Sequence, residues 1–349
     1  MEPADVLVVG DGVAGCAAAI ALGRLGLSTI VLRSQGSQAD SDLPETLAPG
    51  GSKLLDDLGL GCSLTAKNFP PITTKISRWG SGPVQVASML PGASAPLLLG
   101  KARLKSILLE VALGSGAAVV NAAHIHKVER QSNIWRANVH DGAEEQVLFA
   151  RFAVDASGRR AALAQRLGCR RRILDSLVSF WIVGPGEAWP SHAVATATVT
   201  DGWLFCAGSR SGNAAIGFFT AGSRCRAKPS ADSILKRVES VPEMADLLRF
   251  APDWKRSRVM ARNAATTWLE NGDSDWIACG DALQTIDPIA SSGTYIALRQ
   301  GIAAASVAED ILGGGLSALR TYQRASKAEF DNILAKRNLY YGLRPITLA

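Results

Sequence analysis

No two cysteines in this chain are spaced as a C-x-x-C pair; its six (Cys16, Cys62, Cys169, Cys206, Cys225, Cys279) are scattered. Histidine is scarcer, with four residues, of which only His124 and His126 are close, alternating as strand residues would. Zinc sites draw on Cys and His ligands at short, regular spacing, so no metal is expected. Unpaired, scattered thiols point to a reducing, cytoplasmic setting. No apolar run of about 18 residues occurs, and no basic leader followed by a cleavable apolar stretch opens the chain. The sequence therefore reads as neither exported by a signal peptide nor membrane-spanning. Aromatic residues make up only 6%. None interleaves with the densest basic cluster, Arg170-Arg171-Arg172 with Arg159, Arg160 and Arg166 nearby. Without stacking platforms that cluster does not read as a nucleic-acid site, but as a solvated helix end and loop, with phosphate or partner docking as the alternative. Internal repeats and low-complexity tracts are missing too.

Glycine, in contrast, is plentiful: 34 in 349 residues, beside 47% apolar and 19% charged residues. That excess suits many tight turns and close backbone approaches to a ligand. The length accommodates two lobes, each with its own core. A formal charge of +6 suits an acidic partner or an anionic cofactor without choosing between them.

Ala4 to Val9 is a continuous apolar run, as expected of a strand buried on both faces. The loop Gly10-Asp11-Gly12-Val13-Ala14-Gly15 follows, then an Ala-rich helix from Cys16 to Leu25 closed by Gly26, then a β-branched strand from Ser28 to Leu32. In such a β-α-β unit Gly10 serves the tight turn and Gly12 lets backbone approach a pyrophosphate. Gly15 permits helix–strand packing, and the helix N-terminus, with the backbone of Val13 and Ala14, attracts the phosphates. The second strand normally ends in an acidic residue that accepts ribose hydroxyls. Arg33 and Ser34 stand there instead. Arginine fits a 2′-phosphate, or else stacks on adenine or touches phosphate while Ser34 serves the ribose.

Farther on, residues 34–52 read as a polar loop crossing the ligand, and Ser52 to Leu58 as a short helix. Residues 66–97 read as strands and loops, Ala102 to Leu113 as a helix, Ala117 to Ala122 as a return strand, and His124 to Phe152 as a meander with turns at Gln131-Ser132-Asn133 and Asp141-Gly142. Another buried strand leads into Asp155, expected at the cofactor. Four strands are expected between 173 and 220, then helix from Asp232 to Phe250 broken by Pro242. Trp276 to Cys279 is a strand entering Gly280-Asp281, and two helices, Thr294 to Leu312 and Leu316 to Leu339, complete the chain. The expected fold is α/β: a Rossmann-like nucleotide lobe with an inserted antiparallel β-sheet substrate lobe and C-terminal helices. Its boundaries are 1–72, 100–172 and 258–315 for the nucleotide lobe, 73–99 and 173–257 for the substrate lobe, and 316–349 for the helical tail.

The order Gly280-Asp281-Ala282, Asp287-Pro288, Ser291-Ser292-Gly293-Thr294 resembles the Gly-Asp motif of FAD-dependent hydroxylases. Taken alone, Gly280-Asp281 could be a simple turn with Asp281 as a helix cap. The resemblance implies that Asp281 binds the ribityl chain, while Pro288, Ser292, Gly293 and Thr294 present a helix N-terminus to the flavin. Pro44-Glu45-Thr46-Leu47-Ala48-Pro49, Ser77-Arg78-Trp79-Gly80-Ser81, Asp201-Gly202-Trp203, and the tail with Arg337 and Tyr340-Tyr341 extend the likeness over nearly the whole chain. Together they resemble the single-component flavoprotein monooxygenases, in the branch of the tryptophan halogenases. Within it the likeness is to flavoproteins that mature the tryptophylquinone cofactors of amino-acid oxidases and amine dehydrogenases.

Halogenases carry Gly-Trp-x-Trp-x-Ile-Pro, whereas here Gly202-Trp203-Leu204-Phe205-Cys206-Ala207-Gly208 lacks the second Trp and the Ile-Pro. Pro70-Pro71 stand where their catalytic lysine belongs, with Lys67 and Lys75 out of register. Relatives also place Asp-Arg ahead of the helix at 102, where Gly100-Lys101 stand; lysine keeps the charge at a flavin or phosphate but loses the bidentate fork. The resemblance implies FAD as cofactor and hydroxylation through a flavin C4a-hydroperoxide. The expected substrate is an aromatic side chain, tryptophan, of an acidic protein or peptide client, with electrons from reduced nicotinamide or a flavin reductase. Glu45 and Arg78 are expected near the flavin edge; Trp79, Trp203 and Phe205 are expected to wall an aromatic guest, with plain core packing as the alternative. The competing functions are hydroxylation or epoxidation of a free small molecule, tryptophan halogenation, and a non-catalytic FAD-containing assembly factor.

Overall fold

The computed structural model describes residues 2–342 except 35–42, 67, 89–95, 123, 141–143, 187–188, 190–192, 209–212, 226, 251–252 and 271–274. The turn expected at Asp141-Gly142, most of the loop expected over 34–52, and Lys67 lie outside the described residues.

Strand Ala4–Val9 is central because it is apolar on both faces; Val6 to Val9 are all but fully buried, as parallel strands covered by helices require. On one side it pairs in parallel with Thr29–Ser34, which pairs with Ala118–Ala122. On the other it pairs in parallel with the second half of Glu145–Asp155, and Trp276–Ala278 joins beyond residues 153–155. The first half of Glu145–Asp155 turns antiparallel, pairing with Ile134–His140 and through it with His124–Gln131. All five parallel strands thus end on one edge, where ligands bind in open α/β sheets.

Helix Val13–Arg24 crosses helix Gly293–Leu312 through small residues. A Cβ on Gly301 would overlap the Ala14 carbonyl oxygen and stand 2.9 Å from Ala17 Cβ. The missing side chain is what lets the two helices meet, and their N-termini therefore open on the same edge.

A second, seven-stranded sheet runs in the order Met260–Asn263, Leu177–Pro185, Asn213–Ala221, Gly202–Gly208, Ala193–Val199, Thr74–Arg78, Gln85–Ser88. Side chains alternate across it. One face buries Phe180, Ile182, Leu204, Ile216 and Phe218 against Ile234, Leu235 and Val238 of helix Ala231–Glu239. The other face carries Leu177, Trp203 and Phe219 in a separate cluster that also takes Trp79, Trp181, Phe205, Ile289 and Tyr341. Two short connections, 174–176 and 264–266, lead to a three-stranded sheet of Arg171–Ile173, Thr267–Leu269 and Gln284–Thr285. Asp175 staples them, its Oδ1 accepting the N–H of Leu177 at 3.0 Å and of Thr266 at 3.2 Å.

Three expectations change. The loop from 34 contains strand Pro44–Leu47 and helix Pro49–Asp57, which Pro49 starts because its missing N–H costs nothing there. The expected break at Pro242 is there: helix Ala231–Glu239 stops before it, and Pro242 begins the next, Pro242–Ala245. The second sheet is not purely antiparallel, since Ala193–Val199 runs parallel to Thr74–Arg78. Arg171 is no solvated loop residue: it sits in a strand and donates to the carbonyl oxygens of Asp281 at 3.2 Å and Ala282 at 2.6 Å.

Candidate functional site

Gly10 adopts φ +112°, and a Cβ there would run into the Ala156 carbonyl. A Cβ on Gly15 would overlap the Gly10 carbonyl oxygen. Both glycines are therefore demanded by backbone packing. Gly12 differs: a Cβ on it meets nothing within 4 Å. Gly12 caps helix Val13–Arg24 with no side-chain hydrogen bond and no acidic residue in the first turn. Bare N–H groups of Val13, Ala14 and Gly15 at a helix start, beside open space, suit a pyrophosphate. Helix Gly293–Leu312 begins the same way: Ser292 gives it no side-chain cap, and a Cβ on Gly293 also meets nothing within 4 Å.

Arg33 is occupied. Its Nε lies 3.3 Å from Oδ2 of Asp11, and Lys105 Nζ reaches the same oxygen at 2.8 Å. Asp11 is almost fully buried, so its charge needs these two cations. The basic residue at the end of the second strand thus answers an acidic residue inside the glycine loop. Beneath the loop, burial pushes the Cys16 thiol up to about 12, with Asp11 adding to the effect, so Cys16 is an inert packing group. Ser34 closes strand Thr29–Ser34 beside Ala122.

Asp155 presents no free oxygen to this edge. It is fully buried; Oδ1 accepts the N–H and hydroxyl of Ser157, and Oδ2 accepts the N–H groups of Leu163 and Ala164 at 3.0 and 2.9 Å. Burial raises its pKa, and these donors pull it back. Its expected place at the cofactor becomes an indirect one, that of shaping the turn at 156–161.

Gly280 has φ +60° and abuts Ala14; its N–H donates to Oε1 of buried Gln300 at 2.8 Å. Its turn is thereby fixed to both helices. The Asp281 side chain stays half exposed, with Arg159 Nε at 3.8 Å, while its backbone carbonyl is taken by Arg171. A carboxylate free to accept, held on a fixed turn, fits a polyol chain.

Three expected residues from distant stretches converge: Glu45 Oε2 accepts the Thr294 hydroxyl at 2.8 Å, and Lys101 Nζ lies 3.3 Å from Glu45 Oε1. Strand pairing of Pro44–Leu47 with Leu97–Gly100 brings them together. Arg78 does not join them. In register with Ala197 it points to the opposite face of the sheet and pairs with Glu243 at 3.5 Å.

The aromatic expectations divide. Trp203 is 1% exposed and stacks on Phe219, centroids 3.8 Å apart and planes 2° apart, which makes it a floor. Trp79 and Phe205 are half-buried, as is Trp181, whose ring lies 6.0 Å from Phe205. Gly217 leaves room for Trp181, since a Cβ there would come within 2.9 Å of its ring. Ile289, from the turn Pro288–Ala290, packs against this wall. Trp181 and Asp175 carry no local signal in the sequence that distinguishes them from core residues, and Tyr341 stands out there only through the likeness of the tail.

The chain matches the FAD binding domain family over residues 3–333. It is 26% identical over 316 residues to LodB of Marinomonas mediterranea, named as an FAD-dependent oxidoreductase, covering 85% of this chain and 82% of that protein. It is 27% identical over 331 residues to a menaquinone reductase of Mycobacterium tuberculosis, covering 88% and 76% respectively. Among solved structures it is similar to the peptidyl tryptophan dihydroxylase QhpG, essential for tryptophylquinone cofactor biogenesis. The TM-score is 0.78 at 25% identity, over 98% of this chain and 76% of that one. The fold is shared with the myxobacterial chondrochloren halogenase CndH, with a TM-score of 0.85 at 20% identity, over 99% and 84%. The open phosphate loop, the two uncapped helix starts and the fixed Gly280 turn are the parts an FAD needs, and the chain belongs to the FAD binding domain family, as an FAD-dependent oxidoreductase of the monooxygenase superfamily.

Proposed function

We propose that this protein hydroxylates a tryptophan side chain of a partner protein or peptide. The observation that carries the proposal is the aromatic wall: half-buried Trp79, Trp181 and Phe205 stand on one sheet face against Ile289, next to the turn that leads into helix Gly293–Leu312. A flat, electron-rich ring is the guest such a wall accepts, by offset or edge-to-face contact. The similarity to QhpG over 98% of the chain supports the same reading.

Bound here, FAD would supply the redox chemistry of a monooxygenase, in which two donor electrons and O2 give one oxygen atom to the substrate and one to water. The chain's own residues hold and exclude. Gly10 to Gly15 and the first helix start cradle the pyrophosphate, with Asp281 on the ribityl chain. The uncapped start of helix Gly293–Leu312, with Pro288 and Ser292 ahead of it, offers N–H groups to the flavin ring, and Glu45 with Lys101 pins Thr294 in its first turn. Arg33 steadies the loop through Asp11, and Ser34 serves the ribose. Trp203, locked on Phe219, backs the aromatic wall and keeps water out. Reduced nicotinamide or a separate flavin reductase supplies the electrons, and the basic balance of the chain suits an acidic client.

Co-expression with proteins encoded beside this chain's gene, followed by peptide mass spectrometry, tests the proposal. One or two added oxygen atoms on a Trp, dependent on this protein and lost in Phe205→Ala, support it. Modification of a free aromatic compound, with client peptides untouched, refutes it in favour of a small-molecule hydroxylase.

A further inference from the structure

The C-terminal helix Ser317–Gly342 ends inside the site, where it makes a buried polar network. Asp287, 1% exposed, precedes the turn Pro288–Ala290. Its Oδ1 accepts the Ile289 N–H at 3.0 Å; its Oδ2 accepts the Tyr341 hydroxyl at 2.6 Å and Arg337 Nε at 3.3 Å. The Tyr341 oxygen accepts in turn from Trp203 Nε1 at 3.0 Å. The other end of the Arg337 guanidinium lies 2.8 Å from Oδ2 of Asp175, the residue that staples the two inter-sheet connections. Three distant stretches of chain are thus tied at two side chains of one helix.

We propose that Tyr341 and Arg337 are positioning residues, which hold the Asp287–Gly293 turn at the height the flavin requires. Ser291 in that turn has φ +47°, a left-handed conformation that strains a non-glycine residue, and such a turn keeps its shape only when its surroundings over-determine it. Asp287 supplies that determination from one end. It accepts the turn's own N–H, and it is itself gripped by the tyrosine and the arginine. Helix Gly293–Leu312 starts two residues after Ser291, so any relaxation of the turn moves the N–H groups presented to the flavin. Packing alone would not need three ionisable groups: a buried Arg337 paired with two carboxylates costs desolvation that an apolar helix end would avoid. The network buys placement of a loop, not cohesion.

The inference concerns FAD alone and stands or falls independently of the substrate. The test uses purified Tyr341→Phe, Arg337→Ala, Arg337→Lys and Asp287→Ala proteins loaded with FAD, and reads three quantities: FAD dissociation constant, visible flavin spectrum and reduction potential. Thermal melting of the apo-proteins is the control for structure. Tyr341→Phe is expected to melt near the wild type yet bind FAD about tenfold or more weakly, with a shifted potential and spectrum, as loss of a bond to a charged group implies. Asp287→Ala shows the larger loss, and Arg337→Lys, which keeps charge and reach to one carboxylate, recovers part of the affinity relative to Arg337→Ala. Variants that melt lower but keep wild-type FAD affinity, spectrum and potential overturn the proposal, since they show support of the fold alone.

Discussion

Gly301→Ala sets two magnitudes against each other. In an ordinary helix, alanine is preferred to glycine by about 1 kcal/mol, so by helix preference alone the change stabilises. Here the added Cβ would overlap the Ala14 carbonyl oxygen and stand 2.9 Å from Ala17 Cβ and 3.1 Å from Ala18 N. Carbon contacts relax near 3.5–4.0 Å, so helices Val13–Arg24 and Gly293–Leu312 must part by roughly 0.8 Å. Overpacking of this kind costs about 1–3 kcal/mol, leaving a net loss of roughly 0–2 kcal/mol after the helix gain. At roughly 2 °C per kcal/mol for a chain of this size, apo-protein melting falls by up to about 4 °C. Cofactor affinity should suffer more. Both helix starts shift relative to each other, and a bridging dinucleotide cannot follow both; a loss of about tenfold or more is expected, read by FAD titration. Gly114→Ala is the matched control: it ends helix Lys101–Gly114 and a Cβ there meets nothing within 4 Å, so it should be neutral or stabilising. A Gly301→Ala protein that melts higher, as Gly114→Ala does, and binds FAD like the wild type would refute the close-crossing argument.

Asp281→Ala should leave the melting temperature of the apo-protein within about 1 °C, because its side chain is half exposed, yet weaken FAD about tenfold or more. Unchanged FAD affinity would remove Asp281 from the site. Asp155→Ala strips acceptors from two buried N–H groups and should destabilise by about 2–4 kcal/mol in urea unfolding; a change under 1 kcal/mol would contradict its role in the turn. Burial raises the pKa of Asp287 above that of an unfolded Asp, so between about pH 4 and the raised value the folded chain holds the extra proton. That contribution to stability is full at the acid end and is lost as pH rises through the folded value. Urea unfolding from pH 4 to 7 should therefore fall more steeply in the wild type than in Asp287→Asn, and parallel profiles would refute the shift. Arg33→Ala should weaken FAD only a few-fold while Lys105 remains on Asp11; a switch of preference to a 2′-phosphorylated nucleotide on restoring Arg33 would show that its guanidinium reaches the ligand instead.

What the sequence showed and what it hid follow contact range. Gly10 to Gly15 is readable because strand, turn and helix start are complete within a dozen residues, and Gly280-Asp281 because strand Trp276–Ala278 runs straight into its turn. Strand Pro44–Leu47 was hidden, since its partner lies more than fifty residues on and four residues carry too little alternation to signal a strand. Arg33 drew attention as a departure, yet its explanation, Asp11 with Lys105, needed a third element packed against the loop. Trp203 was picked out by its motif, but its status as floor depended on Phe219 across the strand pair and Tyr341 at the far end of the chain. Arg78 lies on the other face because strand alternation does not itself say which side is which; the pairing with Ala193–Val199 sets it.

Asp175 also bears on how this protein can be re-engineered. Two sheets joined by short connections invite recombination, in which five of the seven strands of the second sheet, those between 177 and 263, are exchanged at 174 and 265. Here the joints are not independent. Asp175 holds both through Leu177 and Thr266, and is itself held by Arg337, which belongs to neither joint. A chimera exchanging the sheet alone would leave a buried arginine facing a foreign connection. The transferable unit is the sheet together with the end of the last helix.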